Sequence, residues 1–249
     1  MGREREIEPA WAVVAARMGS TRLPGKTLAD LAGRPSLRHT IDRLRRVSSL
    51  AGVVIATTEG PEDDPVRECA RSAGAASFSG SSDDVLGRTL AAAGAVSART
   101  IVQVTGDCPL VDPRVVERAL ATYTTNDVDY VSTVLGGETY PIGFDVEVFA
   151  TDLLARVDRL TADPRDREHV SVYIYEHPED FRLLGVRATG RQQRPDLRLT
   201  LDTAEDLAVI RAVYEALWPE RPDFSTDDVI AFLDAHPELK QSNRASAVT

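Results

Sequence analysis

The stretch AARMGSTRLPGK, residues 15–26, places Arg17, Arg22 and Lys26 on a glycine-bearing loop, and no acid stands between Trp11 and Ala29. Three cations on a short loop suit a polyphosphate. Two carboxylates supply complementary chemistry: Asp107 in GDCP and Asp202 at the end of LRLTLD. Together these groups could grip a triphosphate while Mg2+ bridges its oxygens to the acids. Each residue also has a plainer use. Asp107 could be an ordinary turn residue. Asp202 or Thr203 could cap the following helix, with Glu205 or Asp206 completing a capping box. The arginines could be solvated surface charge, so the argument rests on the combination.

The same loop resembles a phosphate-binding P-loop only superficially. Five residues, not four, separate Gly19 from Gly25, and Gly33 and Pro35 stop any helix after Thr27. A kinase or ATPase is therefore disfavoured. Lysine usage adds a second signal. Of 29 basic residues 27 are arginine, and the only lysines are Lys26 and Lys240. Where arginine is written almost everywhere, a compact ammonium at position 26 is not interchangeable with a guanidinium fork.

These groups need a scaffold, and the pattern supplies one. WAVVAA (11–16), GVVIATT (52–58), a short strand near 75–78 and TIVQVTG (100–106) read as buried strands. Between them fall helices opened by Ser36 as cap, over 61–73, and over about 83–94, and another follows over 113–123. Strands alternating with helices predict a mostly parallel α/β sheet. In such a sheet ligands sit beyond the carboxyl ends of the strands, where the cationic loop and both aspartates fall. From 126 to 190 the rhythm breaks: 128–134 and 144–149 read as strands, and 166–181 mixes helix and strand character. This segment reads as an insert whose apolar face pairs with a second copy. LRLTLD (197–202) is expected to rejoin the sheet, followed by helices over 203–217 and 226–235. The expected organisation is a tail over 1–10, one domain over 11–240, and a disordered tail over 241–249.

Composition bounds the rest. The chain has 249 residues, 43% of them hydrophobic, which is enough for one substantial core. A net charge of −10 argues against a general nucleic-acid binder but leaves small anionic substrates open. No apolar run reaches membrane-span length, and the beginning of the sequence carries no hydrophobic signal region. Two cysteines without metal or redox spacing set a reduced, cytoplasmic location as the expectation.

At this point the residues match a family. The chain resembles the CTP-dependent acylneuraminate and 3-deoxy-manno-octulosonate cytidylyltransferases, and most closely their SpsF-like relatives. AARMGSTRLPGK (15–26), GDCPLVDP (106–113), YPIGFDVEVF (140–149), DREHVSVYIYEHPEDFRL (166–183) and LTLDTAEDL (199–207) follow in the family's order. The resemblance implies a glycosyltransferase-A-like sheet sandwiched by helices, with an inserted dimerisation subdomain. It implies transfer of CMP from CTP to an anionic acceptor, with release of pyrophosphate. Ala16, Arg17, Met18, Gly19, Arg22 and Lys26 would bind the nucleotide, with Arg17, Lys26 and Asp107 nearest the chemistry. Asp107 and Asp202 would hold Mg2+, and Ser79 and Gly80 would border the base and ribose. Gln103, Asp145, Arg167, Glu168 and His169 would face the acceptor, with Gln103 also within reach of the nucleotide. Phe144 replaces the leucine usual in PxGLDxEVF, which leaves the acceptor open between a sugar acid and a phosphonate. The rival class is a non-catalytic sugar-nucleotide-binding or glycosyltransferase protein using the same sheet.

Overall fold

The computed structural model describes residues 9–240. The expected tails over 1–10 and 241–249 lie almost wholly outside that range, and the first strand begins at Ala10. Its centre is a seven-stranded sheet. In chain order the strands are β1 (Ala10–Ala15), β4 (Leu50–Thr58), β5 (Ala76–Gly80), β6 (Thr100–Thr105), β7 (Tyr130–Ser132), β8 (Glu147–Ala150) and β9 (Leu183–Gly185). The two missing numbers are a small hairpin, β2 (Asp30–Leu31) and β3 (Arg34–Pro35), just after the cationic loop. Across the sheet the order is β5-β4-β1-β6-β8-β7-β9. β1 lies between β4 and β6, parallel to both, which is why AWAVVA carries apolar residues on both faces. β8 runs antiparallel to β6 and β7, while β9 pairs parallel with β7.

Helices cover both faces. One layer holds α1 (Ser36–Leu44), α2 (Asp64–Ser72), α4 (Pro113–Thr125), α8 (Ala204–Leu217) and α9 (Thr226–Ala235) against β-strand residues such as Val14, Ile55 and Val102. The other packs α3 (Val85–Ala95), α5 (Thr151–Leu160) and α7 (Val172–Glu176) against Val13, Ile101, Tyr130 and Phe149. The short α6 (Pro164–Glu168) leads into α7. This is the α/β sandwich expected. No helix among the described residues is long and apolar enough to cross a membrane.

Three expectations are corrected. Ser36 is the first residue of α1 rather than its cap. Pro35 holds the cap position, and the buried Ser36 hydroxyl has no partner. Residues 197–202 do not form a sheet strand. They run beside residue 142, with Leu199 N donating to Ile142 O at 2.7 Å and a single bridge at Arg198. Their backbone bonds go to residue 142 and to Asp107 instead of to a neighbouring strand. Finally, the segment 126–190 supplies β7, β8 and β9 to the main sheet, so it extends the core instead of standing apart from it.

Candidate active site

A cavity of about 460 Å3 opens beyond the carboxyl ends of β1 and β6. Its walls include Arg17, Arg22, Lys26, Arg88, Asp107 and Asp202. The loop after β1 is pinned from below. Met18 N donates to Asp63 Oδ1 at 2.6 Å, and Thr27 Oγ1 donates to Arg17 O at 2.7 Å. Gly25, at φ 74°, takes the left-handed conformation that turns the loop into a single 3-10 turn at Lys26–Leu28. No long helix follows, which agrees with the rejection of a P-loop.

Asp107 and Asp202, 95 residues apart in the chain, meet through the backbone. Gly106 N donates to Ala15 O at 2.9 Å, so β6 ends hard against β1. A Cβ at Gly106 would stand 2.8 Å from that carbonyl oxygen, closer than any side chain tolerates. Leu201 N in turn donates to Asp107 O at 2.8 Å, and the next residue is Asp202. The α8 cap is a capping box between Thr203 and Asp206. Asp202 is therefore released from capping, and its side chain is 12% exposed toward the cavity.

One ammonium joins the two acids. Lys26 Nζ donates to Asp107 Oδ2 and to Asp202 Oδ1, each at 2.8 Å. Asp202 also faces Arg22 at 3.0 Å and accepts from Arg198 Nη2 at 2.5 Å. Burial alone would pull the Lys26 ammonium down, but Asp107 and Asp202 hold it above its ordinary value. Asp202 is likewise held below the usual carboxylate range: burial raises it, and Lys26, Arg22 and Arg198 outweigh that. Both acids converge on one cation position with hard oxygen donors, the chemistry Mg2+ selects. Among the described residues no group of three or more His, Cys, Asp or Glu could hold a metal, so the protein's share of the ligands to a bound ion would be these two acids. The remaining ligands of a bound ion would be phosphate oxygens and water, as is usual for Mg2+.

The expected residues divide by position. Ala16, Arg17, Gly19, Arg22, Lys26, Asp107, Glu168, His169 and Asp202 all line the cavity. Arg17 faces Glu168 at 3.7 Å across its mouth. Met18 lies in the loop but contributes its backbone N–H to Asp63. Ser79 and Gly80 lie outside the lining. Ser79 Oγ accepts from Arg67 at 3.3 Å, and Gly80 packs against the Arg88 stem. Gln103, on β6, and Asp145, just before β8, also lie outside the lining. Arg167 is not on the cavity wall. Its guanidinium is held by Asp84, the α3 cap, and by Asp158 at 2.8 Å, clamping α6 to α3 and α5.

Two residues were missed by sequence reasoning. Asp63 is 1% exposed and accepts from Met18 N, Thr57 Oγ1, Thr58 N and the Thr58 hydroxyl. Burial raises it, but those donors hold its carboxyl below the usual range. Arg88, 4% exposed, donates to the carbonyls of Ser81 and Ser82, while its Nε has no partner. In the sequence Asp63 reads as a first-turn acid, and Arg88 as one polar position of an otherwise apolar helix.

A mostly parallel sheet whose strand ends carry a cationic loop opposite two carboxylates defines a nucleotidyltransferase-type α/β protein. The chain belongs to the cytidylyltransferase family, whose profile matches residues 11–239. It is 33% identical to the spore coat polysaccharide biosynthesis protein SpsF of Bacillus subtilis strain 168, over 94% of this chain and 97% of that one. A cytidylyltransferase structure from Leptospira borgpetersenii superposes with a TM-score of 0.88 at 30% identity, covering 94% of this chain and 97% of the other. The CTP complex of a CMP:2-keto-3-deoxy-manno-octonic acid synthetase shares the fold, with a TM-score of 0.64 at 21% identity, over 83% and 98% of the two chains.

Proposed function

We propose that the protein transfers CMP from CTP to a small anionic acceptor, a sugar acid or a phosphonate, and releases pyrophosphate. The observation that carries this reading is the Lys26 ammonium shared at 2.8 Å between Asp107 and Asp202, within a cleft whose rim is set with arginines. An acceptor oxygen attacks the α-phosphorus in line as pyrophosphate departs. Arg17, Arg22 and Lys26 neutralise charge growing on the leaving phosphates, from positions fixed before the reaction. Lys26 reaches those phosphates by exchanging its carboxylate partners for phosphate oxygens. Asp107 and Asp202 would then hold Mg2+, which when bound supplies electrostatic stabilisation to the phosphate oxygens. Asp63 acts from behind, keeping Met18 and hence Arg17 in register.

Cys108 takes no chemical part. It is fully buried beside Asp107, and burial together with that carboxylate pushes its thiol well above the ordinary range. Self-association through 126–190 belongs to the same reading. The two large apolar side chains exposed among the described residues, Leu160 and Tyr175, both fall there. Light scattering tests that part.

The reaction is tested by mixing the protein with Mg2+, each nucleoside triphosphate and a panel of nonulosonic acid, octulosonic acid and phosphonate acceptors. Products are resolved by phosphorus NMR. The expected result is pyrophosphate and a CMP conjugate, with CTP preferred. Nucleoside diphosphate would identify a kinase. Tight CTP binding without product across the panel would identify a binding protein.

A further inference from the structure

Three separate parts of the cleft are tied to one helix. Asp202 stands just ahead of the capping box that opens α8. Two turns further along, Arg211 Nε donates to Asp30 O at 3.1 Å, in the hairpin that follows the cationic loop. A turn beyond that, the Tyr214 hydroxyl donates to Pro109 O at 2.5 Å, in the chain that leaves Asp107. Tyr214 is wholly buried, and burial raises its phenol above the ordinary value against the charge of Arg43. It therefore stays protonated and able to donate. Arg43, from α1, holds the same segment by donating to Val111 O at 2.6 Å.

A second ring completes the connection. His39, also on α1, is buried, and its Nε2 meets Leu31 O at 2.7 Å. A carbonyl only accepts, so Nε2 carries the proton. Burial is the main influence holding this imidazole below its ordinary value, which suits the neutral ring. The His39 and Tyr214 rings pack together with centroids 4.0 Å apart. Trp218 meets His39 edge-on at 4.9 Å, and Phe224 meets Tyr214 edge-on at 5.4 Å.

A pair needed only for packing would carry no polar atoms. Here each ring aims one donor at a backbone carbonyl of a different loop, and each carbonyl would be left unpaired without it. Lys26 lies five residues before Leu31, and Asp107 lies two before Pro109. The stacked rings thus bridge the segment that carries the ammonium and the turn that carries one of its acids. Neither ring lines the cleft. Groups that act on developing charge must be held to about 0.5 Å by residues behind them.

We propose that His39 and Tyr214 act together as positioning residues: the stacked pair fixes the separation between the cationic loop and the Asp107 turn, and with it the place of Lys26 between Asp107 and Asp202. The inference rests on the cytidylyl-transfer reading and adds to it two residues outside the cleft lining.

The test uses Tyr214→Phe, His39→Leu, His39→Gln and the Tyr214→Phe/His39→Leu double variant, each checked for a folded core by near-ultraviolet circular dichroism. Tyr214→Phe deletes one oxygen and keeps the ring, so it decides the matter if His39→Leu misfolds. Pyrophosphate release is followed with Mg2+, CTP and the acceptor that the wild type turns over. Expected for Tyr214→Phe and His39→Leu is a fall in kcat of about fivefold or more with KM for CTP within about twofold, because misplaced groups lose most in the transition state. His39→Gln keeps a nitrogen donor for Leu31 and should recover most of the His39→Leu loss. The double variant should fall no more than about twofold below the weaker single, since either break opens the same bridge. Unchanged kcat in Tyr214→Phe overturns the proposal. So do losses that multiply in the double variant, a loss confined to KM for CTP, or no recovery in His39→Gln. If the wild type releases no pyrophosphate with any acceptor, the transfer reading fails by itself. Crystal structures of the wild type and Tyr214→Phe then decide the positioning role. A shift of Lys26 Nζ relative to Asp107 by about 0.5 Å or more supports it, and an unmoved ammonium overturns it.

Discussion

Two pairs of acids, an outer one that lines the cleft and an inner one outside its lining, are built from the same residue types and have opposite characters. At the outer end the carboxylates of Asp107 and Asp202 are matched by Lys26, Arg22 and Arg198, and Asp202 is held ionised. At the inner end Asp145 and Glu147 face other acids and apolar walls, and their protons are retained to about 6 and about 7. A carboxyl group takes its role from its neighbours: opposite charge makes it an anion, and burial beside other acids makes it a neutral donor. The outer pair is the one prepared to exchange one cation for another, because its acids are already ionised against cations.

The largest expected effect breaks the outer end. Asp107→Asn removes one of the two acids that share Lys26 and should slow pyrophosphate release by at least a hundredfold. That corresponds to about 3 kcal/mol in the barrier, the scale of losing one preorganised electrostatic contact. The unfolding midpoint should stay close to wild type, and activity within a few-fold of wild type would remove Asp107 from the chemistry. Asp202→Asn makes a cleaner second probe than LDTAED alone suggests, because Thr203 and Asp206 cap the helix.

A smaller effect comes from keeping the charge and changing its shape. Lys26→Arg must fit a planar fork where one nitrogen now touches two oxygens at 2.8 Å. A fall in kcat of about tenfold, roughly 1.4 kcal/mol, is expected from single-turnover kinetics. Unchanged kcat would mean that only charge matters at position 26.

The inner end is tested through stability. Glu147 binds its proton more tightly folded than unfolded, about 7 against 4.5. As pH rises from 4.5 the unfolded chain ionises first, so this residue takes stability away progressively up to about pH 7 and nothing further above it. Glu147→Gln cannot ionise. Against wild type it should gain by about 3 kcal/mol at pH 8, shrinking to nearly nothing by pH 4.5, measured by denaturant unfolding. A gap that does not vary with pH would show that Glu147 is ionised in the folded protein.

The smallest effect belongs to the rim. Arg17 and Glu168 meet at 3.7 Å with side chains 40% and 45% exposed. Glu168→Gln should change unfolding stability by no more than about 0.5 kcal/mol. A larger loss would mean that the pair holds the cavity mouth closed.

What the sequence disclosed follows the range of its contacts. The cationic loop and the turn at Asp107 are local, and their chemistry could be read from a dozen residues. Asp202 was ambiguous because a helix cap explains the same letters; the capping box formed by Thr203 and Asp206 leaves its side chain to the cavity, and the Leu201–Asp107 backbone contact brings it to Asp107. Asp63 was invisible: its importance depends on β1 lying beside β4, which brings Met18 onto it. Glu147 sits at a polar step of an alternating strand, a pattern that normally marks a solvated face. Here Ser171, just ahead of α7, covers that face and donates to Glu147, and the polar step is half-buried. Arg167 was assigned to the acceptor by motif, but Asp84, 83 residues earlier in the chain, takes its guanidinium.

The scarcity of lysine gives the bridging ammonium a practical value. Growth on isotope-labelled lysine would place two side-chain signals in an NMR spectrum. Lys240, paired with Asp234 at 3.0 Å on the surface, serves as an internal standard. The other is Lys26, and its chemical shift reports which anions surround it. The chain thus contains a single-site reporter at the centre of its cleft, able to follow partner exchange in real time without an added probe.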